Sequence, residues 1–304
     1  MAERILEGVL VIDKAKGPTS HDVVAMLRRI LNLRRIGHCG TLDPLASGVL
    51  VTCLGRFTRL NRWLSATDKE YEATIYLGAT SPTGDAQGPI APQRDGTPPS
   101  HLAIERELES FKGEIEQVPP AFSAVKVGGE RSYKRARRGE IVELKSRRVW
   151  IHTLDLVRYD FPHLVVKIRC SSGTYIRSLA VDLGRALQTG AYLSDLRRLR
   201  VGRLGLDQAL TLDQVATRYD AGDIDLAFAK PRQALGELSV VELSPESLTD
   251  FTHGKAIESS PLPVLKEGDC AVFDLGETLF GIARCEKGAL RPYCVLRQPE
   301  TQQT

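Results

Sequence analysis

Alternation and helical spacing divide the chain into short pieces of recognisable type. Gly8 to Asp13 (G-V-L-V-I-D) is an apolar run of strand length and predicts a short buried strand. A K-A-K-G-P-T turn follows, then Ser20 as a predicted N-cap. Val23, Leu27, Ile30 and Leu31 repeat at helical spacing after it, which predicts a helix over residues 21–31. Tyr71, Ala73, Ile75 and Leu77 alternate with Glu72, Thr74 and Tyr76, the pattern of a half-buried strand. Residues 80–99, rich in Gly, Pro, Thr and Ser, read as loop. Ser100 caps a predicted helix through Phe111, with Ile104, Leu108 and Phe111 on one face. Alternation returns at Leu164, Val166, Ile168 and Cys170. An S-S-G-T turn then leads into a helix on which Ile176, Leu179, Ala180, Leu183 and Leu187 share a face, with Gly190 as its stop. Strands and helices mix without a steady βαβ rhythm, so an α+β domain with a mixed, mainly antiparallel sheet is expected.

The texture changes near Gly236. Leu238 to Leu243 alternates, a short helix fits residues 246–253, and two strands flank Gly276-Glu277 as a hairpin. One more strand is predicted from Tyr293 to Arg297. These elements predict a small β-rich C-terminal domain, giving units of 1–236 and 237–304.

Composition sharpens the picture in three places. No apolar stretch approaches the length of a membrane span, and the acidic N-terminus does not resemble a signal peptide, so a cytoplasmic location is expected. The cysteines at 39, 53, 170, 270, 285 and 294 form no C-x-x-C and no Cys/His cluster, which predicts buried thiols and no metal site. The formal charge is only +3, but residues 126–148 carry nine basic residues against three acidic ones, a local balance of +6. Lys126, Arg135, Arg137 and Arg138 lie in this run. A solvated face is the ordinary use of such a run. Glycines and Tyr133 interleave with the charge here, and Pro119-Pro120 precedes it, which suits a flap that closes on phosphates. Arg197, Arg198, Arg200 and Arg203 form a second basic cluster.

The chemistry concentrates in Ile36 to Leu50, I-G-H-C-G-T-L-D-P-L-A-S-G-V-L. Three glycines surround one carboxylate, Asp43. Asp-Pro is a common helix start, with Asp as cap and Pro as the first helical residue. The flanking His38, Cys39 and glycines, and the apolar anchor Val49–Leu54, instead suit a shaped loop that presents a catalytic group.

Several blocks together resemble the TruB family of bacterial tRNA pseudouridine-55 synthases. They are L-V-I-D-K-A-K-G-P-T-S-H-D-V-V (10–24), G-H-C-G-T-L-D-P-L-A-S-G-V-L (37–50), K-E-Y-E-A (69–73), T-G-D-A-Q-G (83–88), P-P-A-F-S-A-V-K (119–126), S-G-T-Y-I-R-S-L (172–179) and L-R-R-L (196–199). The resemblance implies a pseudouridine synthase fold with an RNA-binding thumb inserted at about 120–148 and a PUA-like C-terminal domain. It implies isomerisation of a T-loop uridine in tRNA by a stand-alone monomer, without cofactor, metal or guide RNA. By motif position Asp43 is the catalytic carboxylate, Arg177 its cationic partner and Tyr71 the ring that stacks on the target uracil. Leu196 lines the pocket and His38 contacts the T-loop. Lys14 and Asp85 take support or RNA-contact roles. Cys39 and Thr41 stand where the family often has threonine and alanine.

Overall fold

The computed structural model describes residues 6–93, 97–123, 125–132, 135, 138–140, 144–258 and 266–297. A nine-stranded sheet forms the frame. Its strands are β1 (Gly8–Lys14), β2 (Ile36–His38), β3 (Ser47–Leu54), β4 (Lys69–Leu77), β7 (Gly113–Gln117), β10 (Arg147–Asp160), β11 (His163–Cys170), β12 (Ala191–Val201) and β13 (Leu204–Gly205). Two small hairpins lie outside it, β5–β6 (Ala79–Thr80, Ala91–Pro92) and β8–β9 (Lys126–Val127, Glu130–Arg131). The order is β1-β3-β12-β4-β11-β10-β7, with β2 on β3 and β13 on β12. Every pairing in this sheet is antiparallel except β3 with β12. The mixed, mainly antiparallel α+β architecture is as expected.

Alternation explains how the frame packs. Along β1, Leu10 and Ile12 face one core with Leu27 of the first helix, whereas Val9 and Val11 face a second core. β3 divides in the same way, Leu50 and Leu54 to the first, Val49, Val51 and Cys53 to the second. Strands buried on both faces read as continuous apolar runs.

The second core joins the C-terminal elements to the nine-stranded frame. Ala271, Phe273, Leu279, Ile282, Cys294 and Leu296 pack there beside Phe57 and Trp63. They belong to a five-stranded sheet of β14 (Ser239–Glu242), β15 (Ile257–Glu258), β16 (Gly268–Phe273), β17 (Leu279–Glu286) and β18 (Ala289–Val295), ordered β14-β16-β17-β18-β15. Trp63 Nε1 donates to Asp269 Oδ2 at 2.8 Å and Arg62 donates to the Tyr293 hydroxyl at 2.8 Å, closing the rim of that contact.

Helix ends show where local pattern was overruled. The first helix is Ser20–Ile30, and its cap is Thr19 rather than Ser20: Thr19 accepts from the Asp22 amide while the Asp22 carboxylate accepts from the Thr19 amide. Ser20 is fully buried and serves the loop described below. The helix His101–Ser110 has the expected Ser100 cap. The helix Ile176–Ala186 ends at Leu187, before Gly190. In the C-terminal domain the final strand begins at Ala289, earlier than the alternation suggested. Among the described residues no helix is long and apolar enough to cross a membrane.

Candidate active site

Asp43 lies on the loop between β2 and β3, and no helix follows it. Ala46 N donates to Asp43 O at 3.0 Å, closing a tight turn at Pro44-Leu45, and the chain enters β3 at Ser47. The helix-start reading of Asp43-Pro44 is therefore corrected: the return into the sheet comes too soon for a first helical turn. Backbone anchors hold the loop on all sides. The Ser20 hydroxyl accepts from Leu42 N at 2.8 Å and donates to Leu42 O at 3.0 Å. Gly17 N donates to Pro44 O at 2.8 Å, Cys39 N to Val51 O at 2.8 Å, and Lys14 Nζ to Ala46 O at 2.7 Å. A loop so pinned keeps its carboxylate in place without using that carboxylate as a cap.

The carboxylate instead meets Arg177, from the first turn of the Ile176–Ala186 helix. Arg177 Nε lies 3.0 Å from Asp43 Oδ2, and Nη1 lies 3.5 Å from Asp85 Oδ2. The guanidinium also donates to Phe122 O at 3.0 Å and Thr83 O at 3.3 Å. Its side chain is 7% exposed, against 39% for Asp43 and 4% for Asp85. Asp43 is thus paired on one side and open on the other. Asp85 is closed in: Oδ1 accepts from Thr83 Oγ1 at 2.7 Å and Gln87 N at 3.0 Å. It is buried beside Arg177 and supports that side chain.

Beneath the loop the sheet supplies apolar walls and buried cations. Tyr71 on β4 and Leu196 on β12 are both buried, and β12 brings Leu196 opposite Ala73 and Arg198 opposite Tyr71. Burial pushes the Tyr71 phenol up, with the charge of Arg198 pulling partly back, so it stays a neutral hydroxyl at ordinary pH. Lys14, on β1, is buried too, and its ammonium donates to Ala15 O as well as Ala46 O. It braces the loop from inside. Burial brings its ammonium down to about 8, with Asp43 opposing and Arg198 reinforcing the shift. Lys69 is likewise lowered to about 8 by burial and by Arg198, and its ammonium donates to Ser65 O at 2.6 Å.

His38 is half-buried at the rim, edge-on to His21 with ring centroids 5.2 Å apart, and its carbonyl accepts from Asn61 Nδ2 at 2.6 Å. Cys39 and Cys53 are buried side by side behind the loop, with sulfurs 3.4 Å apart. Their contact, with burial, raises the Cys53 thiol well above its ordinary value.

The structure also revises both basic segments. Arg135 pairs with Glu140 at 2.7 Å, and Arg138 pairs with both Glu130 and Glu140 at 2.7 Å, so the flap neutralises part of its own charge. Lys126 lies in β8; Arg137 falls outside the described residues. The second cluster is not one surface patch. Arg198 is 1% exposed and points inward, while Arg197 is partly exposed and bound to Asp13 at 2.9 Å. Ser20, Lys69 and Arg198 contribute to the site, although the sequence pattern reads Ser20 as a helix cap and Arg198 as one of a basic cluster and gives Lys69 no role. Among the described residues no cluster of three His, Cys, Asp or Glu is arranged to hold a metal ion.

Residues 28–176 match the N-terminal domain of the TruB family pseudouridylate synthases, and residues 177–228 the C-terminal domain of tRNA pseudouridylate synthase B. Residues 239–296 match the C-terminal domain of pseudouridine synthase II TruB. A tRNA pseudouridine synthase B of Thermobifida fusca is 46% identical over 297 residues, covering 95% of this chain and 98% of its own. One of Burkholderia pseudomallei is 41% identical over 298 residues, covering 96% and 97%. Among solved structures, a Cbf5-Nop10-Gar1 complex matches with a TM-score of 0.77 at 27% identity, over 96% of this chain and 85% of that one. With three successive family matches and relatives over nearly its whole length, the chain belongs to the TruB family of pseudouridylate synthases.

Proposed function

We propose that this chain converts uridine 55 in the T-loop of tRNA to pseudouridine, acting alone, without a guide RNA, and with Asp43 as its one catalytic carboxylate. The observation that carries the reading is the asymmetry at Asp43: one oxygen held at 3.0 Å by a buried guanidinium, the rest of the group open to a ligand. In the reaction the N1–C1′ bond breaks, the uracil turns, C5–C1′ forms, N1 gains a proton and C5 loses one. The product is an isomer, so stoichiometry demands no redox partner and no energy source. An ionised carboxylate beside C1′ either attacks that carbon or accepts a sugar proton while facing developing positive charge. Arg177, 3.0 Å from Oδ2, holds it oriented for both routes. Tyr71 offers a ring for the uracil to stack on, and Leu196 an apolar wall. A T-loop uridine must leave its stack to arrive there, which costs a few kcal/mol of unstacking. His38 at the rim and the thumb at about 120–148 supply contacts that offset it. The names of the relatives at 41–46% identity support tRNA as substrate.

A second reading is a subunit of a larger assembly that works on RNA selected by a guide; the likeness to a Cbf5-Nop10-Gar1 complex supports only the assembly part of it. Purified protein and a T-loop hairpin, with no other RNA, decide between them: pseudouridine formation supports the stand-alone reading and its absence refutes it. In the same assay Asp43→Asn is expected to abolish isomerisation with RNA binding largely kept. Retained turnover in the pure variant sinks the catalytic assignment.

A further inference from the structure

Asp43 and Tyr71 reach the site from opposite halves of the frame. Asp43 precedes β3, which pairs with β1 and β2. Tyr71 lies on β4, which continues into β11, β10 and β7. Among the described residues only β12 joins the halves within the sheet, and unequally. It pairs with β4 at nine positions, from Ala191↔Leu77 to Val201↔Lys69, but with β3 at two, Arg197↔Ser47 and Arg198↔Gly48. The spacing between carboxylate and aromatic ring therefore depends on a joint two residues long.

Arg198 occupies that joint. Its backbone lies between Gly48 on one side and Tyr71 on the other. A Cβ on Gly48 would lie 2.2 Å from Arg198 O, and Gly48 has φ +99°, so the strands close to a distance that only glycine permits. The guanidinium then reaches across: Nε donates to Val49 O at 2.7 Å, Nη2 to Gly40 O at 3.1 Å and Nη1 to Thr41 O at 3.4 Å. Thr41 is two residues before Asp43. Among the described residues Arg198 forms no ion pair with a carboxylate; carbonyl dipoles hold a charge that arginine cannot shed. A plug of core volume would not need a fork aimed at three carbonyls, two on the Asp43 loop and one on β3. Arg177 fixes the far side of Asp43, and Arg198 fixes the backbone that carries it.

We propose that Arg198 is a positioning residue for the isomerisation: by gripping the carbonyls of Gly40, Thr41 and Val49 from the strand that pairs with Tyr71, it sets the distance between Asp43 and the stacked base. The assignment rests on the reaction proposed above. It acts on the chemical step and not on RNA capture, which separates it from a merely structural role.

The test compares Arg198→Lys and Arg198→Met with the unmodified protein on a T-loop hairpin. Three quantities are measured: the single-turnover rate with enzyme in excess, the RNA Kd, and the folded fraction at assay temperature. A lysine keeps the charge but cannot satisfy three diverging carbonyls, so its rate is expected to fall about tenfold or more. The methionine variant should fall about a hundredfold, the scale of a 1 Å misplacement. Kd should stay within about threefold of the unmodified protein, since no proposed RNA contact is lost. A folded Arg198→Lys protein with a rate within about threefold of the unmodified one overturns the proposal, as does a loss confined to Kd. If Arg198→Met does not fold, Arg198→Lys alone decides. An unmodified protein that forms no pseudouridine overturns the reaction reading and this assignment with it. Normal turnover with an unimpaired lysine variant overturns this assignment alone.

Discussion

Arg177 serves two carboxylates, and replacing it separates stability from catalysis. In Arg177→Met the side chain keeps its bulk and loses its charge. Asp43, at 39% exposure, can be rehydrated, so its share of the stability loss should be about 1 kcal/mol or less, as for exposed pairs. Asp85, at 4%, has no such recourse. Stripping one partner from a buried pair costs about 3–5 kcal/mol. The bonds Asp85 keeps to Thr83 Oγ1 and Gln87 N offset part of that, and its 3.5 Å separation from the guanidinium is long for an ion pair. A net loss of about 3 kcal/mol is expected, a large share of a domain's stability. Urea unfolding of the variant measures it. The second arm is Arg177→Met with Asp85→Asn, which removes the uncompensated charge and should restore about 2 kcal/mol of the deficit. Isomerisation should stay lost in the double variant, because Asp43 still lacks its cation. A single-variant deficit below about 1 kcal/mol, or no recovery on adding Asp85→Asn, refutes the claim that the buried pair governs stability here. Recovery of turnover in the double variant would refute the role given to Arg177 beside Asp43.

Two further outcomes are expected. Lys14 lies at about 8 in the folded protein and 10.5 in its ordinary state, so between those values the unfolded chain binds the extra proton and stability rises with pH. Relative to the parent, Lys14→Met should be most favoured below pH about 8, and the advantage should shrink towards about 10.5; a difference flat across that range contradicts the buried-ammonium reading. Neutralising Arg135, Arg137 and Arg138 together should weaken RNA binding and flatten its salt dependence. Because Glu130 and Glu140 already hold two of them, the slope should change by about 1 and not by the two to three units of three free phosphate contacts; an unchanged slope leaves the run a solvated face.

What could be read in advance follows from period. β4 and β11 alternate without interruption, so their strands were legible. β12 was not, because register shifts between Leu193 and Asp195 and between Arg198 and Arg200 break its two-residue rhythm. The same shifts hid Arg198: in L-R-R-L-R nothing local says which arginine turns inward. Asp43 and Arg177 were legible through motif, not through physics, since Asp-Pro favours a cap and a helical arginine favours solvent. Thr19 and Ser20 are adjacent hydroxyls with equal claim to the cap. Only the meeting of Ser20 with Leu42 assigns them, and that contact is remote in sequence. Asp85 and Lys14 were placed in the right neighbourhood, but burial, which depends on the assembled frame, was out of reach.

The shared core behind β1 and β3 has a consequence for anyone seeking a minimal enzyme. Val9, Val11, Val49 and Val51 are the reverse side of the two strands that carry Lys14 and close the Asp43 loop, and residues of the C-terminal sheet complete the core they share with Phe57, Leu60, Trp63 and Leu64. Cutting the chain near Gly236 would not trim an appendage; it would open the core behind the two strands that hold the Asp43 loop. A shortened version would first need that valine face rewritten in polar residues, one strand position in two, with the inward-facing positions of the same strands left alone.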